Sequence, residues 1–155
     1  EDSFLLTAFY LEAAMQVQRA TGEPTWVLST QLGEISDPLQ SGRTLVFPHS
    51  AEMAGDEVLV FDNASPYLGS SSGALVFDLD RERGEATLTW SYAPDPPIHN
   101  NFLGNAQRLW NGNVLVVFPQ AGRIDEVGSD GNLVEQITTE IGTELRYAER
   151  VESLY

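Results

Sequence analysis

One hairpin plan is written three times in this chain. Met15 to Leu28 (MQVQRATGEPTWVL), Leu75 to Trp90 (LVFDLDRERGEATLTW) and Ile124 to Ile137 (IDEVGSDGNLVEQI) each lead an alternating segment into a polar turn centred on Gly22, Gly84 or Gly131. An alternating segment then returns. Period-2 alternation around a glycine turn is the signature of paired antiparallel strands. Trp26 and Trp90 hold similar places on their returning strands. A chain that repeats this unit is expected to stack antiparallel sheets, so the fold class is all-β.

A second unit lies between the hairpins. His49-Ser-Ala-Glu-Met-Ala-Gly-Asp-Glu-Val-Leu-Val-Phe61 resembles Asn105-Ala-Gln-Arg-Leu-Trp-Asn-Gly-Asn-Val-Leu-Val-Val117, and each carries a glycine turn followed by Val-Leu-Val. Tyr147-Ala-Glu-Arg-Val151 reads as the first half of a third copy, with Arg150 and Val151 matching Arg108 and Leu109. Copies 56 and 42 residues apart fit the spacing of about 40 to 50 residues found in four-stranded propeller blades. Leu11 to Ala20 (LEAAMQVQRA) is rich in helix formers and on propensity alone reads as a helix. Its continuation matches the other hairpins, and the repeat context predicts a strand. Gln31 to Arg43, Ala64 to Ser72 and Asp95 to Asn101 read as long loops.

Composition narrows function by exclusion. The 155 residues carry 8 basic and 23 acidic side chains, a formal charge of −15. All eight basic residues are Arg, scattered from Arg19 to Arg150, so a nucleic acid backbone is not an expected partner. Without Lys there is no Schiff base, and without Cys there is neither thiolate chemistry nor a disulfide. The longest apolar run, Val114 to Phe118, is far short of the ~20 residues that span a bilayer, so no membrane span is expected. The N-terminus shows no signal peptide pattern. The acidic positions beside the turns (Asp78, Asp80, Glu82, Glu85, Asp125, Glu126) read as a solvated face, and Asp130-Gly-Asn132 lacks the full ligand spacing of a calcium loop. No metal and no cofactor is expected.

Four stretches, in this order, resemble the bacterial aryl-sulfate sulfotransferases: Arg19 to Trp26, His49 leading to Phe61-Asp62-Asn63, Gly104 to Asn113, and Tyr147 to Tyr155. The resemblance runs over essentially the whole chain, 1–155, but covers only the C-terminal half of that family's six-bladed β-propeller. It implies a partial β-propeller of about three four-stranded antiparallel blades. The remaining blades would come from an N-terminal half or from a second chain, because an open arc leaves two sheet faces bare. A periplasmic or secreted setting is the matching expectation.

In that family a channel histidine takes the sulfuryl group from an aryl sulfate and passes it to a phenol. The resemblance puts His49 in that role, and the repeat register sets Asn105 and Tyr147 beside it as a polar ring. Asn105, Tyr147 and Arg108 are then the expected contacts for aryl sulfate and phenolic acceptor. Arg108 and Arg150 also have a structural reading, since Glu52 stands at the equivalent place in the His49 unit. Phe9-Tyr10 stands where relatives commonly have Arg-His, and Gly73 where they have Arg. Those losses favour a competing reading, a non-catalytic binding or assembly module. Asp62 and Asn63 are expected to cap a turn, His99 to be a loop histidine, and Asn63-Ala-Ser65 to be a chance glycosylation triplet.

Overall fold

The computed structural model of the protein describes residues 2–29, 31–32, 45–64, 69, 71–139 and 145–151. They form three antiparallel sheets. The first holds β1 (Ser3–Ala8), β2 (Ala13–Gln18) and β3 (Pro24–Ser29) in that order. The second runs β4 (Pro48–Ala54), β5 (Glu57–Asp62), β6 (Gly73–Asp80), β7 (Glu85–Tyr92). The third runs β8 (Asn105–Arg108), β9 (Val114–Phe118), β10 (Arg123–Val127), β11 (Leu133–Thr138). Each strand pairs with the next in the chain, so every sheet is a meander. The segment that reads as a helix on propensity is β2, and the three predicted hairpins are β2-β3, β6-β7 and β10-β11.

The hairpins share an irregularity that alternation alone does not show. Pairing skips one residue at Gln16/Val17, at Val76/Phe77 and at Glu126/Val127, so Thr25, Thr89 and Val134 are each bulged on the outer strand. A bulge deepens strand twist, and its recurrence at one place gives the three sheets one shape. A short 3-10 turn ending in a left-handed residue links β1 to β2 and β9 to β10: Phe9–Leu11 with Glu12 (φ 49) and Pro119–Ala121 with Gly122 (φ 59). β1, β2 and β3 are therefore the equivalents of β9, β10 and β11, and of β5, β6 and β7. Among the described residues the first sheet has no counterpart of β4 or β8.

Side chains from facing sheets interlock into two main cores. Leu5, Trp26 and Leu28 of the first sheet meet Val58, Val60, Leu75 and Phe77 of the second. On the second sheet's other face, Leu59, Phe61, Val76 and Tyr92 meet Val114, Val116, Phe118 and Val127 of the third. Covered on both faces, β5 and β9 are continuous apolar runs rather than alternating ones. Burial of Phe61, Phe77 and Phe118, each fully enclosed, contributes about 1.5 to 3 kcal/mol per side chain.

One sequence equivalence shifts. Val58 and Val114 correspond, but Ser50 pairs with Phe61 while Asn105 pairs with Val117. Ser50, not His49, is the equivalent of Asn105, and His49 corresponds to Gly104. The cause is turn length: Ala54 pairs with Glu57 across two residues, whereas the Leu109 N–H closes on the Asn113 carbonyl across three. An ungapped alignment slips by one ahead of the turn, and a slip of one moves a side chain to the opposite face.

Candidate functional site

β4, β8 and the tail after Leu145 lie side by side, joined by side chains reaching across to backbone. Ser50 Oγ accepts the Ala106 N–H at 3.2 Å, and Glu52 Oε2 accepts the Arg108 N–H at 2.9 Å. One sheet later the pattern repeats. Asn105 Oδ1 accepts the Ala148 N–H at 3.4 Å, and Gln107 Oε1 accepts the Arg150 N–H at 2.8 Å. The amides also donate, Asn105 Nδ2 to the Ala148 carbonyl at 2.7 Å and Gln107 Nε2 to the Arg150 carbonyl at 3.2 Å. A carboxylate or hydroxyl oxygen satisfies the N–H alone, whereas Asn and Gln satisfy N–H and C=O together. The tail thus runs beside β8 as β8 runs beside β4, which bears out its reading as the start of a third copy.

Between these rows lies an open cleft of about 360 Å³, lined by Ser50, Glu52, Asn105, Gln107, Arg108 and Tyr147 among others. It gathers three of the four sequence candidates, Asn105, Arg108 and Tyr147. Each is already engaged. Asn105 is buried and holds the tail. Arg108 Nη2 sits 3.0 Å from Glu57 Oε2, while its Nε is buried without a hydrogen-bond partner among the described residues. The Tyr147 hydroxyl donates to Glu149 Oε2 at 2.9 Å. That bond, partial burial and the charges of Glu149 and Glu52 push its pKa up, so the phenol stays a neutral donor.

His49 stands apart from this cleft, exposed at the head of β4. Its Nδ1 lies 2.8 Å from the Gly104 carbonyl oxygen. A carbonyl only accepts, so in the neutral ring Nδ1 carries the proton and Nε2 carries the lone pair. Thr7 Oγ1 donates to the His49 carbonyl at 2.7 Å and fixes the backbone below the ring. Gly104 is irreplaceable in this arrangement: its φ is +95, and a Cβ there would lie 2.2 Å from Phe61 Cε1. The fully buried Phe61 thereby leaves no room for a side chain at the residue whose carbonyl meets the imidazole. The sequence pointed to Glu52 only through the structural reading of Arg108, and it assigned Gly104 no role, although a glycine ahead of a repeated strand is a visible signal for close backbone approach.

The other candidates resolve into structure, and Asp125 and Glu126, expected on a solvated face, are instead buried, each against an arginine. The Arg150 guanidinium pairs with Glu126 and lies 4.9 Å above the Trp110 ring. Glu126 also accepts from Asn111 and Asn113 Nδ2, and these bonds with the Arg150 charge hold its carboxyl below the usual range. Asp62 accepts the N–H groups of Val46, Phe47 and Ala64, which makes it the expected turn cap; burial pushes its pKa up. Asn63 is buried with Nδ2 on the Phe47 carbonyl, so the triplet at Asn63 presents no surface acceptor. Phe9 stacks on Phe47 at 4.6 Å and meets Tyr10 edge-on; Gly73 is buried at the start of β6. His99 is exposed in the loop after β7. Asp130 is an Asx turn, bonded to the Asn132 N–H and side chain. Among the described residues no three His, Asp or Glu side chains gather as a metal site, and no helix is long and apolar enough to cross a membrane.

The chain matches no known protein family and no curated protein by sequence. Its fold is similar to that of a solved protein of unknown function from Bacteroides caccae, with 12% identity and a TM-score of 0.52. The match covers 88% of this chain and 42% of that one, so the chain spans less than half the length of the neighbour. The class these findings define is an all-β protein of three stacked antiparallel meanders.

Proposed function

We propose that the three sheets are successive blades of an arylsulfotransferase-like β-propeller, and that His49 is its sulfuryl acceptor. The observation that carries this reading is the bond from His49 Nδ1 to the Gly104 carbonyl, because it leaves Nε2 unprotonated, oriented and open to solvent. In the first half-reaction the Nε2 lone pair forms a bond to sulfur of the aryl sulfate. The S–O bond to the ring oxygen breaks and its electron pair leaves with the phenolate. The sulfo-imidazolium spreads its positive charge to Nδ1–H, where the Gly104 carbonyl dipole stabilises it. A phenol then attacks sulfur, the S–N bond breaks, and the acceptor's proton leaves to solvent or to the departing phenolate. Tyr147 and Asn105, which line the cleft with Ser50, the residue after His49, are the proposed phenol contacts, and Arg108 the sulfate contact. The setting proposed is periplasmic or secreted.

A second reading, a non-catalytic binding or assembly module, is favoured by the engagement of the arginines. Arg108, Arg123 and Arg150 each face a carboxylate within ion-pair distance. Phe9, Tyr10 and Gly73 supply no cation in place of those the family carries. Release of 4-nitrophenolate from 4-nitrophenyl sulfate in the presence of phenol separates the two. The enzymatic reading expects turnover that His49→Ala removes; unchanged release in that variant refutes the role of His49, and no release by either protein leaves the binding reading.

A further inference from the structure

We propose that Asn111 is a modification site: it loses its side-chain amide spontaneously, and the change loosens the tail that brings Tyr147 to the candidate cleft. The proposal stands apart from the reading of the sheets as blades. Asn111-Gly112 is the one Asn-Gly step in the sequence, and it forms the exposed tip of the β8–β9 turn. Asn111 Oδ1 accepts the Asn113 N–H at 3.1 Å, an Asx turn that folds the side-chain carbonyl back toward the intervening Gly112 nitrogen. Gly112 has a φ of +85 and open space where a Cβ would stand, so no side chain shields its nitrogen. Every other asparagine lacks one of these conditions. Asn63, Asn100 and Asn105 are buried, and Asn101, Asn113 and Asn132 precede Phe, Val and Leu. Asp130-Gly131 forms the same ring only from the protonated acid. The Asn132 side chain holds the Asp130 carboxyl below the usual range, and a carboxylate is a poor electrophile.

The reaction begins when the Gly112 N–H gives its proton to solvent base and the nitrogen attacks Asn111 Cγ. The N–Cγ bond forms and the Cγ–Nδ2 bond breaks. Its electron pair leaves on nitrogen, which takes a proton from solvent and departs as ammonia. Water then opens the cyclic imide, giving aspartate by addition at the side-chain carbonyl and isoaspartate by addition at the main-chain carbonyl. The net change is water taken up and ammonia released. The Gly112 N–H donates to the Leu109 carbonyl at 3.0 Å, so opening of that bond sets the pace in the folded protein.

The partners of the amide give the change its effect. Asn111 Nδ2 donates to Glu126 Oε1 at 2.9 Å, beside Asn113 Nδ2 at 2.6 Å, and Glu126 is buried. The other Glu126 oxygen takes the Arg150 guanidinium, which in turn lies over the ring of Trp110, the residue before Asn111. Turn and tail are thus joined in one circuit through Glu126. A carboxylate at position 111 replaces a donor by a like charge against a buried carboxylate. The turn is pushed away from Glu126, Trp110 moves from beneath Arg150, and the tail keeps fewer holds.

Peptide mass spectrometry of the full chain, incubated in warm, mildly alkaline buffer, tests the site. The expected result is replacement of NH2 by OH at Asn111 about tenfold faster than at any other asparagine, and slowed by about the same factor in Gly112→Ala. Hydrogen exchange of the converted protein and of Asn111→Asp tests the effect. The Arg150 N–H, held by Gln107 Oε1, should exchange about threefold faster or more than in the parent. Asn111→Ser, which has no amide to lose and adds no charge, should stay closer to the parent. Asn111 intact while another asparagine converts overturns the proposal, as does conversion that leaves exchange at Arg150 unchanged. An equal rise in Asn111→Ser overturns the part given to charge repulsion.

Discussion

The Glu52 carboxylate accepts the backbone N–H of Arg108, a residue 56 positions away on the neighbouring sheet, at 2.9 Å. Gln107 does the same for Arg150 at 2.8 Å. The first bond joins strands of different sheets and the second joins β8 to the tail, so they set the spacing of the inner rows where backbone ladders do not reach.

Glu52→Ala is expected to destabilise the protein by about 1 to 2 kcal/mol, since it removes a charged acceptor from a half-buried N–H. Glu52→Gln keeps an acceptor oxygen and should recover at least half of that loss. Urea denaturation of the two variants beside the parent measures it; equal losses would show that the charge rather than the acceptor matters.

Gly104→Ala carries the largest expected cost of any single methyl addition here. The new Cβ meets Phe61 Cε1 at 2.2 Å in a left-handed backbone, and overpacking with strain costs about 3 kcal/mol or more. Thermal denaturation should show a drop of many degrees, and any 4-nitrophenyl sulfate turnover should fall with it as the carbonyl leaves His49. A stability near that of the parent would contradict this close approach.

Tyr92 donates its hydroxyl to Asp125 Oδ2 at 2.8 Å, on a carboxylate that is fully buried. Burial first, then the Asp125 bond and charge, push its pKa up to about 12 from 10.0. A raised folded pKa means the protonated phenol contributes stability that is complete below pH 10 and is lost as the pH rises toward 12. Stability measured across that range should fall in the parent, and less steeply in Tyr92→Phe. At neutral pH the same variant should lose about 1.5 to 3 kcal/mol, the worth of a hydrogen bond to a charged group.

The two equivalent tryptophans should respond differently to Phe. Trp26 Nε1 donates to Gln16 Oε1 at 2.8 Å, whereas Trp90 Nε1 is buried without a partner among the described residues. Trp26→Phe removes a made bond and should cost about 1 kcal/mol more than Trp90→Phe, which relieves an unsatisfied donor. Denaturation midpoints of the pair check this; equal losses would mean that ring packing alone governs both sites.

The strand pattern was legible because both glycine turns and alternation survive in a single sequence. Leu11 to Ala20 shows the limit of propensity: good helix formers make a strand there because β1 and β3 flank it and Ala14 packs into the core. The site was half legible. Asn105, Arg108 and Tyr147 do share a cleft, but one extra turn residue at 110–112 moved His49 out of their register. Nothing in residue identity announces a turn one residue longer. The bond of Glu52 to a backbone N–H was likewise hidden, since sequence suggests charge partners and the N–H of every residue looks alike.

The state of the His49 ring tests the central reading most directly. Long-range proton–nitrogen correlation spectra of the labelled protein, recorded where free imidazole is neutral, distinguish the two nitrogens. The expected spectrum shows His49 with a protonated Nδ1 and an unprotonated Nε2, collapsing to the mixed pattern of a free imidazole in Gly104→Ala. A proton on Nε2, or tautomers in free exchange in the parent, would contradict the assignment of His49 as a poised nucleophile.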